Sequence, residues 1–94
     1  MNVRQLQATV RGHVQAVGFR WFVVGQAERL GLTGWVQNGS DGRTVQVVAE
    51  GAADALEQLI EALRTGPPAA RVETLDATWS ETTDGYSAFE FRGP

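Results

Sequence analysis

The chain contains no cysteine, so disulfides, thiolate nucleophiles and cysteine-ligated zinc are excluded. His13 is its only histidine, which rules out a histidine cluster and leaves nucleophile–histidine catalysis to that one residue. No apolar stretch approaches the roughly 20 residues that span a bilayer, and the N-terminus lacks the apolar run of a signal peptide. We therefore expect a cytoplasmic protein with no membrane partner.

Basic charge is also scarce. The 94 residues include 8 Lys and Arg against 11 Asp and Glu, a net charge of −3, and no basic patch is present. A nucleic-acid partner is therefore not expected, because phosphate-backbone binding depends on clustered positive charge. The length and the 43% of hydrophobic residues predict one monomeric domain, residues 1–94, with one core.

What is present is a regular succession of apolar patterns. Leu6, Ala8 and Val10 alternate with polar residues and predict a strand, whereas the apolar spacing over residues 19–30 is helical. Gly25 inside that helix costs about 1 kcal/mol relative to alanine, so we expect close packing there. A strand at 35–38, a turn at 39–42 and a strand at 45–49 form a predicted hairpin.

The C-terminal half continues the alternation of helix and strand. A second helix over 56–63 stops at Gly66, and two strands follow near 72–79 and 87–92. The order is strand, helix, strand, strand, helix, strand, with an extra C-terminal strand. This order predicts an α+β, ferredoxin-like double split βαβ fold, in which two helices cover one face of an antiparallel sheet. Because that fold hosts many functions, function has to be argued from the sites.

The loop before the first helix has the chemistry of an anion site. Residues 12–20 read Gly-His-Val-Gln-Ala-Val-Gly-Phe-Arg. A loop that leads into a helix presents free N–H groups and the positive end of the helix dipole, and Arg20 can grip two phosphate oxygens at once. A plain glycine-containing connection followed by a solvated arginine is the alternative. The Gly-Lys-Ser/Thr ending of nucleotide hydrolases is missing, so neither nucleotide nor Mg²⁺ is implied.

Asn38 is the second candidate. It precedes Gly39, and Asn-Gly is a common hairpin turn, so on that ground alone Asn38 is a turn residue. The predicted topology can, however, bring the end of its strand near the start of the first helix. A side-chain amide there could hold a water by its oxygen and touch a phosphate oxygen through its NH₂ group.

Together these two segments closely resemble the acylphosphatase family. The family's loop reads roughly Gly-x-Val-Gln-Gly-Val-Gly-Phe-Arg, and residues 12–20 match it except at Ala16. Its second segment reads roughly Gly-Trp-Val-x-Asn-x-x-Asp-Gly, and residues 34–42 fit it throughout. The resemblance extends over nearly the whole chain, through Glu50-Gly51 and Gly66-Pro67-Pro68.

The resemblance implies hydrolysis of acyl phosphates to a carboxylate and inorganic phosphate, with no cofactor and no metal. It implies that Arg20 binds the phosphate and that Asn38 positions the attacking water. It also implies a phosphate cradle of loop amides from Gln15, Ala16, Val17, Gly18, Phe19 and Arg20. If position 16 needs a positive φ, alanine strains the loop by roughly 1 kcal/mol or more.

Other residues receive structural interpretations. We expect His13 on the surface without a catalytic role, Trp35 and Trp79 in the core or on a sheet face, and Asp41 and Asp54 at a turn and a helix start. Trp21 follows Arg20 and could border the pocket.

The sequence leaves two alternative functions open. One is an accessory module, since acylphosphatase-like domains occur within larger enzymes that handle carbamoyl phosphate; that role needs further domains. The other is an RNA-binding domain of similar topology, which the negative charge and the lack of aromatics in strand 44–49 disfavour.

Overall fold

The predicted order of strands and helices is confirmed. A computed structural model describes residues 3–93. Its elements are β1 (Val3–His13), α1 (Phe19–Arg29), β2 (Thr33–Asn38), β3 (Thr44–Ala52), α2 (Ala53–Thr65), β4 (Arg71–Ser80) and β5 (Phe89–Arg92). The five strands form one sheet in the order β4-β1-β3-β2-β5.

The core lies between the sheet and the two helices. Strand β1 pairs antiparallel with both β3 and β4, and β2 pairs antiparallel with β3. The alternating residues turn one side of each strand toward the helices, where Leu6 and Val10 of β1 and Val45 of β3 are fully buried. The leucines at 56, 59 and 63 of α2 cover them from above and are also fully buried. Each such side chain stabilises the fold by about 1.5–3 kcal/mol through burial.

The sheet is mixed, whereas the sequence predicted an antiparallel one, because β5 pairs parallel with β2. Strand β4 ends beside Gln5, at the end of the sheet where β2 begins. The segment 81–88 then crosses the sheet at that end, a distance of about 19 Å for four strand spacings. Phe89 therefore starts β5 next to Gly34, and β5 must run in the same direction as β2.

Strand β1 continues past Gly12 into the segment that was expected to be loop. The pairing of β1 with β4 shifts register between Arg11 and Gly12, which is a bulge. Gly12 has a φ of 141°, and a Cβ there would overlap the carbonyl oxygen of Arg71. Glycine thus lets β4 approach closely, and β1 extends to His13 before the phosphate-loop candidate begins.

The expectation of close packing at Gly25 is wrong. A Cβ built on Gly25 meets nothing within 4 Å, and the residue is exposed on α1. The glycine therefore weakens the helix without a packing benefit.

Candidate active site

The loop 14–18 joins the end of β1 to the start of α1. Gly18 is the N-cap of α1 in a left-handed conformation, with φ 78° and ψ 17°. No side chain caps this helix end, and its first turn carries no acidic residue. The positive end of the helix dipole and the N–H groups of the first turn are therefore not balanced by an anionic or capping side chain of the helix.

Arg20 and Asn38 line the same hollow at this helix end. The hollow has a volume of about 90 Å³. Its lining comes from the loop, the first turn of α1 and the end of β2, namely Val14, Ala16, Gly18, Phe19, Arg20, Trp21 and Asn38. The tertiary structure thus brings together two residues that are 18 positions apart in the sequence. Trp21 borders this hollow as well.

Asn38 stands between two hollows. It is the last residue of β2, with its Cα opposite that of Val45 in β3. Besides the hollow with Arg20, it borders a wider depression of about 550 Å³ lined by Gln15, Gln37, Asn38, Gly39, Ser40 and Gln46. Asn38 therefore belongs to the lining of both hollows.

The side chain of Gln15 ties the loop to the β2–β3 hairpin. Its Nε2 donates to the carbonyl oxygens of Gly39 and Thr44, each at 2.8 Å. From the sequence, Gln15 was expected to contribute only its main-chain N–H, and this side-chain contact was not predicted. No local pattern could have shown it, because the partners lie 24 and 29 positions away in the chain.

Asp41 braces the hairpin turn, as expected of a turn residue. Its Oδ1 accepts from the N–H groups of Arg43 at 2.9 Å and Thr44 at 3.0 Å, and from the Thr44 hydroxyl. The Thr44 hydroxyl and the Arg43 N–H hold the pKa of Asp41 below its ordinary value of 3.8. This carboxylate therefore orders the turn whose carbonyls hold Gln15.

The other residues around the loop differ in how far their side chains are buried. Phe19 is buried and Val17 packs against the core, so these two can offer a phosphate only their main chain. Ala16 is exposed and adopts a φ of 61°, the conformation in which an alanine was expected to strain the loop. His13 is exposed at the end of β1, opposite Arg71, and lies outside both linings.

The tryptophans on the two sides of the sheet are structural. Trp35 is half-buried on the face away from the helices; its Nε1 donates to the Tyr86 hydroxyl at 3.1 Å, and the Arg92 guanidinium lies 4.7 Å from its ring centroid. Trp79 packs against the core, with Arg4 over its ring. Asp54 lies in the first turn of α2, as expected of a helix-start residue.

Across residues 3–93, the structure holds no group of three or more His, Cys, Asp or Glu side chains that could bind a metal ion. Within the same residues no helix has the length and apolar character to cross a membrane.

Comparison with known proteins extends the resemblance to whole chains. The sequence profile of the Acylphosphatase family matches residues 6–91. The acylphosphatase of Salinibacter ruber is 51% identical over 89 residues, which are 95% of this chain and 93% of that one.

Two solved structures share the fold over nearly their full length. The crystal structure of acylphosphatase from Bacillus subtilis superposes with a TM-score of 0.92 at 39% identity, covering 96% of this chain and 99% of that one. An acylphosphatase from Coxiella burnetii gives a TM-score of 0.91 at 41% identity, covering 97% and 94%. With the profile, the relatives and the fold in agreement, the chain belongs to the acylphosphatase family.

Proposed function

We propose that this protein hydrolyses the carboxyl–phosphate bond of acyl phosphates, with Arg20 binding the phosphoryl group and Asn38 positioning the attacking water. The observation that carries the proposal is that Arg20 and Asn38 line one hollow at the N-terminus of α1. The main-chain N–H groups of residues 15–20 complete the proposed phosphate cradle. Family membership supports the reaction, and the shared hollow supports the two roles.

The chemistry of the leaving group explains why the proposed site needs no general acid. Cleavage of the bond between phosphorus and the acyl oxygen releases a carboxylate, which keeps the electron pair of that bond. Because a carboxylic acid has a pKa of about 4, this group departs without a proton from a general acid. The exposed His13 therefore has no step to serve.

Charge stabilisation and positioning then carry the reaction. Phosphoryl transfer passes through a loose transition state with charge spread over three equatorial oxygens. The planar guanidinium of Arg20 and the loop amides can bind these oxygens together. Neither group has to change its protonation state during the reaction.

Asn38 positions the attacking water. Its side-chain oxygen accepts a hydrogen bond from the water, which aims the water oxygen in line with the bond that breaks. Asparagine is a poor base, so in our proposal the proton of the water passes to an oxygen of the phosphoryl group. The products are the free carboxylate and inorganic phosphate, and no cofactor enters the sequence of steps.

Three further predictions accompany this function. We propose that the protein acts as a monomer, that residues 1–94 form a single domain, and that it works in the cytoplasm. Size-exclusion chromatography with light scattering measures the first of these directly.

Replacement of Arg20 tests phosphate binding. Arg20→Ala should nearly abolish turnover of benzoyl phosphate and weaken inhibition by inorganic phosphate, because both depend on the guanidinium. Arg20→Lys keeps the charge but loses the planar two-point grip, so it should recover only a small part of the activity. His13→Ala is the matched control and should keep the wild-type kcat/KM.

Replacement of Asn38 tests water positioning. Asn38→Ala should lower kcat on the order of 100-fold or more, while the inhibition constant for inorganic phosphate stays near that of the wild type. A wild-type kcat in this variant would contradict the role of Asn38.

The reaction class is tested with benzoyl phosphate in excess EDTA. We expect rapid hydrolysis that the chelator does not slow. Phosphate binding without turnover would instead favour the accessory-module alternative.

A further inference from the structure

Two aromatic side chains lie exposed beside the hollow. Trp21 in the first turn of α1 is 73% exposed, and Phe91 of β5 is 39% exposed. Their rings meet edge to face with centroids 4.6 Å apart and an interplanar angle of 67°. Single exposed apolar residues are common, but two large rings packed on each other form a continuous apolar surface. We call this surface the Trp21–Phe91 shelf.

The shelf is continuous with the proposed phosphate site. Trp21 follows Arg20 directly and lines the same hollow as Arg20 and Asn38. Phe91 lies opposite Val36 on β2, the strand that ends in Asn38. The shelf therefore belongs to the rim of the hollow, held in place by α1 on one side and by the edge of the sheet on the other.

Trp21 is the exposed apolar side chain beside the proposed phosphate site. The hollow is small, about 90 Å³, and its lining includes Arg20, Asn38 and Trp21. When Arg20 holds the phosphoryl group, the acyl group bonded to it has to leave the hollow past this lining. Trp21 is the exposed large apolar residue of the lining.

We propose that the Trp21–Phe91 shelf is the acyl-binding subsite, so that the enzyme favours acyl phosphates with apolar or aromatic acyl groups. This inference rests on the proposed function. Trp21 makes the contact with the acyl group, and Phe91 holds the indole ring in place. A flat ring can stack on an indole, whereas a methyl group covers little of it.

The test compares two substrates that share the phosphoryl group and differ in the acyl group. The ratio of kcat/KM for benzoyl phosphate to that for acetyl phosphate is measured in wild type, Trp21→Ala, Trp21→Phe and Phe91→Ala. We expect the ratio to fall about 10-fold in Trp21→Ala, to fall less in Phe91→Ala, and to stay within about 3-fold in Trp21→Phe. The inhibition constant for inorganic phosphate depends on the phosphate site and not on the acyl subsite, so it should not change in Trp21→Ala.

Val3→Ala is the matched control. Val3 is another exposed apolar residue, but it begins β1, about 30 Å of strand away from the loop. This variant should keep the wild-type ratio.

Each contrary outcome has a distinct meaning. An unchanged ratio in Trp21→Ala overturns the subsite, as does a phosphate inhibition constant that rises in step with KM, because Trp21 would then act through Arg20. A wild-type dimer that Trp21→Ala dissociates would assign the shelf to a second copy of the chain and also overturn the subsite. Failure of the wild type to hydrolyse either substrate would instead overturn the proposed function.

Discussion

The side chain of Ala16 is sterically unfavourable in the left-handed backbone conformation that this residue adopts. Among residues 3–93 it is the only non-glycine residue with a positive φ. A Cβ in the left-handed region costs roughly 1–2 kcal/mol, and the family usually has glycine at this position. Surrounding contacts must offset this cost, and the two hydrogen bonds of Gln15 to the β2–β3 hairpin are among them.

Ala16→Gly should raise the free energy of unfolding by about 1 kcal/mol, because glycine removes the strain at φ 61°. Gly25→Ala is the matched control, because it makes the reverse substitution at a position with an ordinary helical backbone. It too should stabilise, by about 1 kcal/mol, since Gly25 lies in an open part of α1. Urea unfolding measures both. Destabilisation by Ala16→Gly would show that the loop gains nothing from a left-handed glycine.

At the scale of elements, the site depends on how the loop is attached to the β2–β3 hairpin. Gln15 bonds to both sides of the turn, and Asp41 holds the turn together from the outside. Asn38 directly precedes Gly39, the first residue of the segment that these contacts hold. We therefore expect the hairpin contacts of Gln15 to fix the position of the proposed water-binding amide of Asn38 relative to Arg20.

Gln15→Met should lower kcat about 10-fold and raise both KM and the inhibition constant for phosphate, because the loop loses both donors to the hairpin. The stability cost should be about 1–2 kcal/mol for the two hydrogen bonds. A purely structural role would reduce stability and leave kcat and phosphate inhibition unchanged at a temperature where the variant is folded.

A stability-matched control comes from the opposite side of the sheet. The buried carboxylate of Glu50 accepts hydrogen bonds from Gln5, Asp84 and Gly85, and none of these residues lines the hollow. Glu50→Gln should destabilise by about 2 kcal/mol, because it disrupts these charge-assisted hydrogen bonds. Its kcat should match that of the wild type.

Glu50 also organises the crossing segment 81–88. Its Oε2 accepts from the N–H of Asp84 at 2.6 Å and from Nε2 of Gln5 at 2.7 Å, and its Oε1 accepts from the N–H of Gly85 at 3.0 Å. Burial alone would raise the pKa of Glu50, but these hydrogen bonds outweigh it and hold the pKa below the ordinary value of 4.5. One carboxylate thus fastens the chain where it passes over the sheet toward β5.

At the scale of the whole molecule, the lowered pKa values of Glu50 and Asp41 make the free energy of unfolding depend on pH. Because the folded protein holds the pKa of Glu50 and of Asp41 below their ordinary values, both carboxylates stabilise the fold above about pH 4.5. That contribution is lost progressively as the pH falls below this value and the two groups take up protons.

The free energy of unfolding should therefore fall from about pH 6 to about pH 3 in the wild type, and fall less in Glu50→Gln, which has one fewer carboxylate to protonate. Urea unfolding at a series of pH values measures both slopes. Equal slopes in the two proteins would mean that Glu50 gains nothing from its ionised form.

Local patterns predicted most of the fold because the period of apolar residues reports which face of an element is buried. The alternation through Leu6 and Val10 and the helical spacing of the α2 leucines were interpreted correctly for that reason. The direction of β5 could not be predicted, since a period of two is the same for a parallel and an antiparallel neighbour. Gly25 was misjudged because sequence does not distinguish a glycine in a crowded place from one in an open place.

What the sequence by itself determined is the set of chemical groups and their local conformations: a loop rich in small residues, an arginine at a helix start, an asparagine at a strand end, and the family that combines them. What only the tertiary structure decided is which groups meet. Arg20, Asn38 and Trp21 share one hollow because β2 ends beside the start of α1, and Gln15 meets the hairpin across more than twenty positions of chain. The physical reason is that side-chain chemistry and backbone preference are properties of neighbouring residues, whereas proximity in space results from the packing of the whole core.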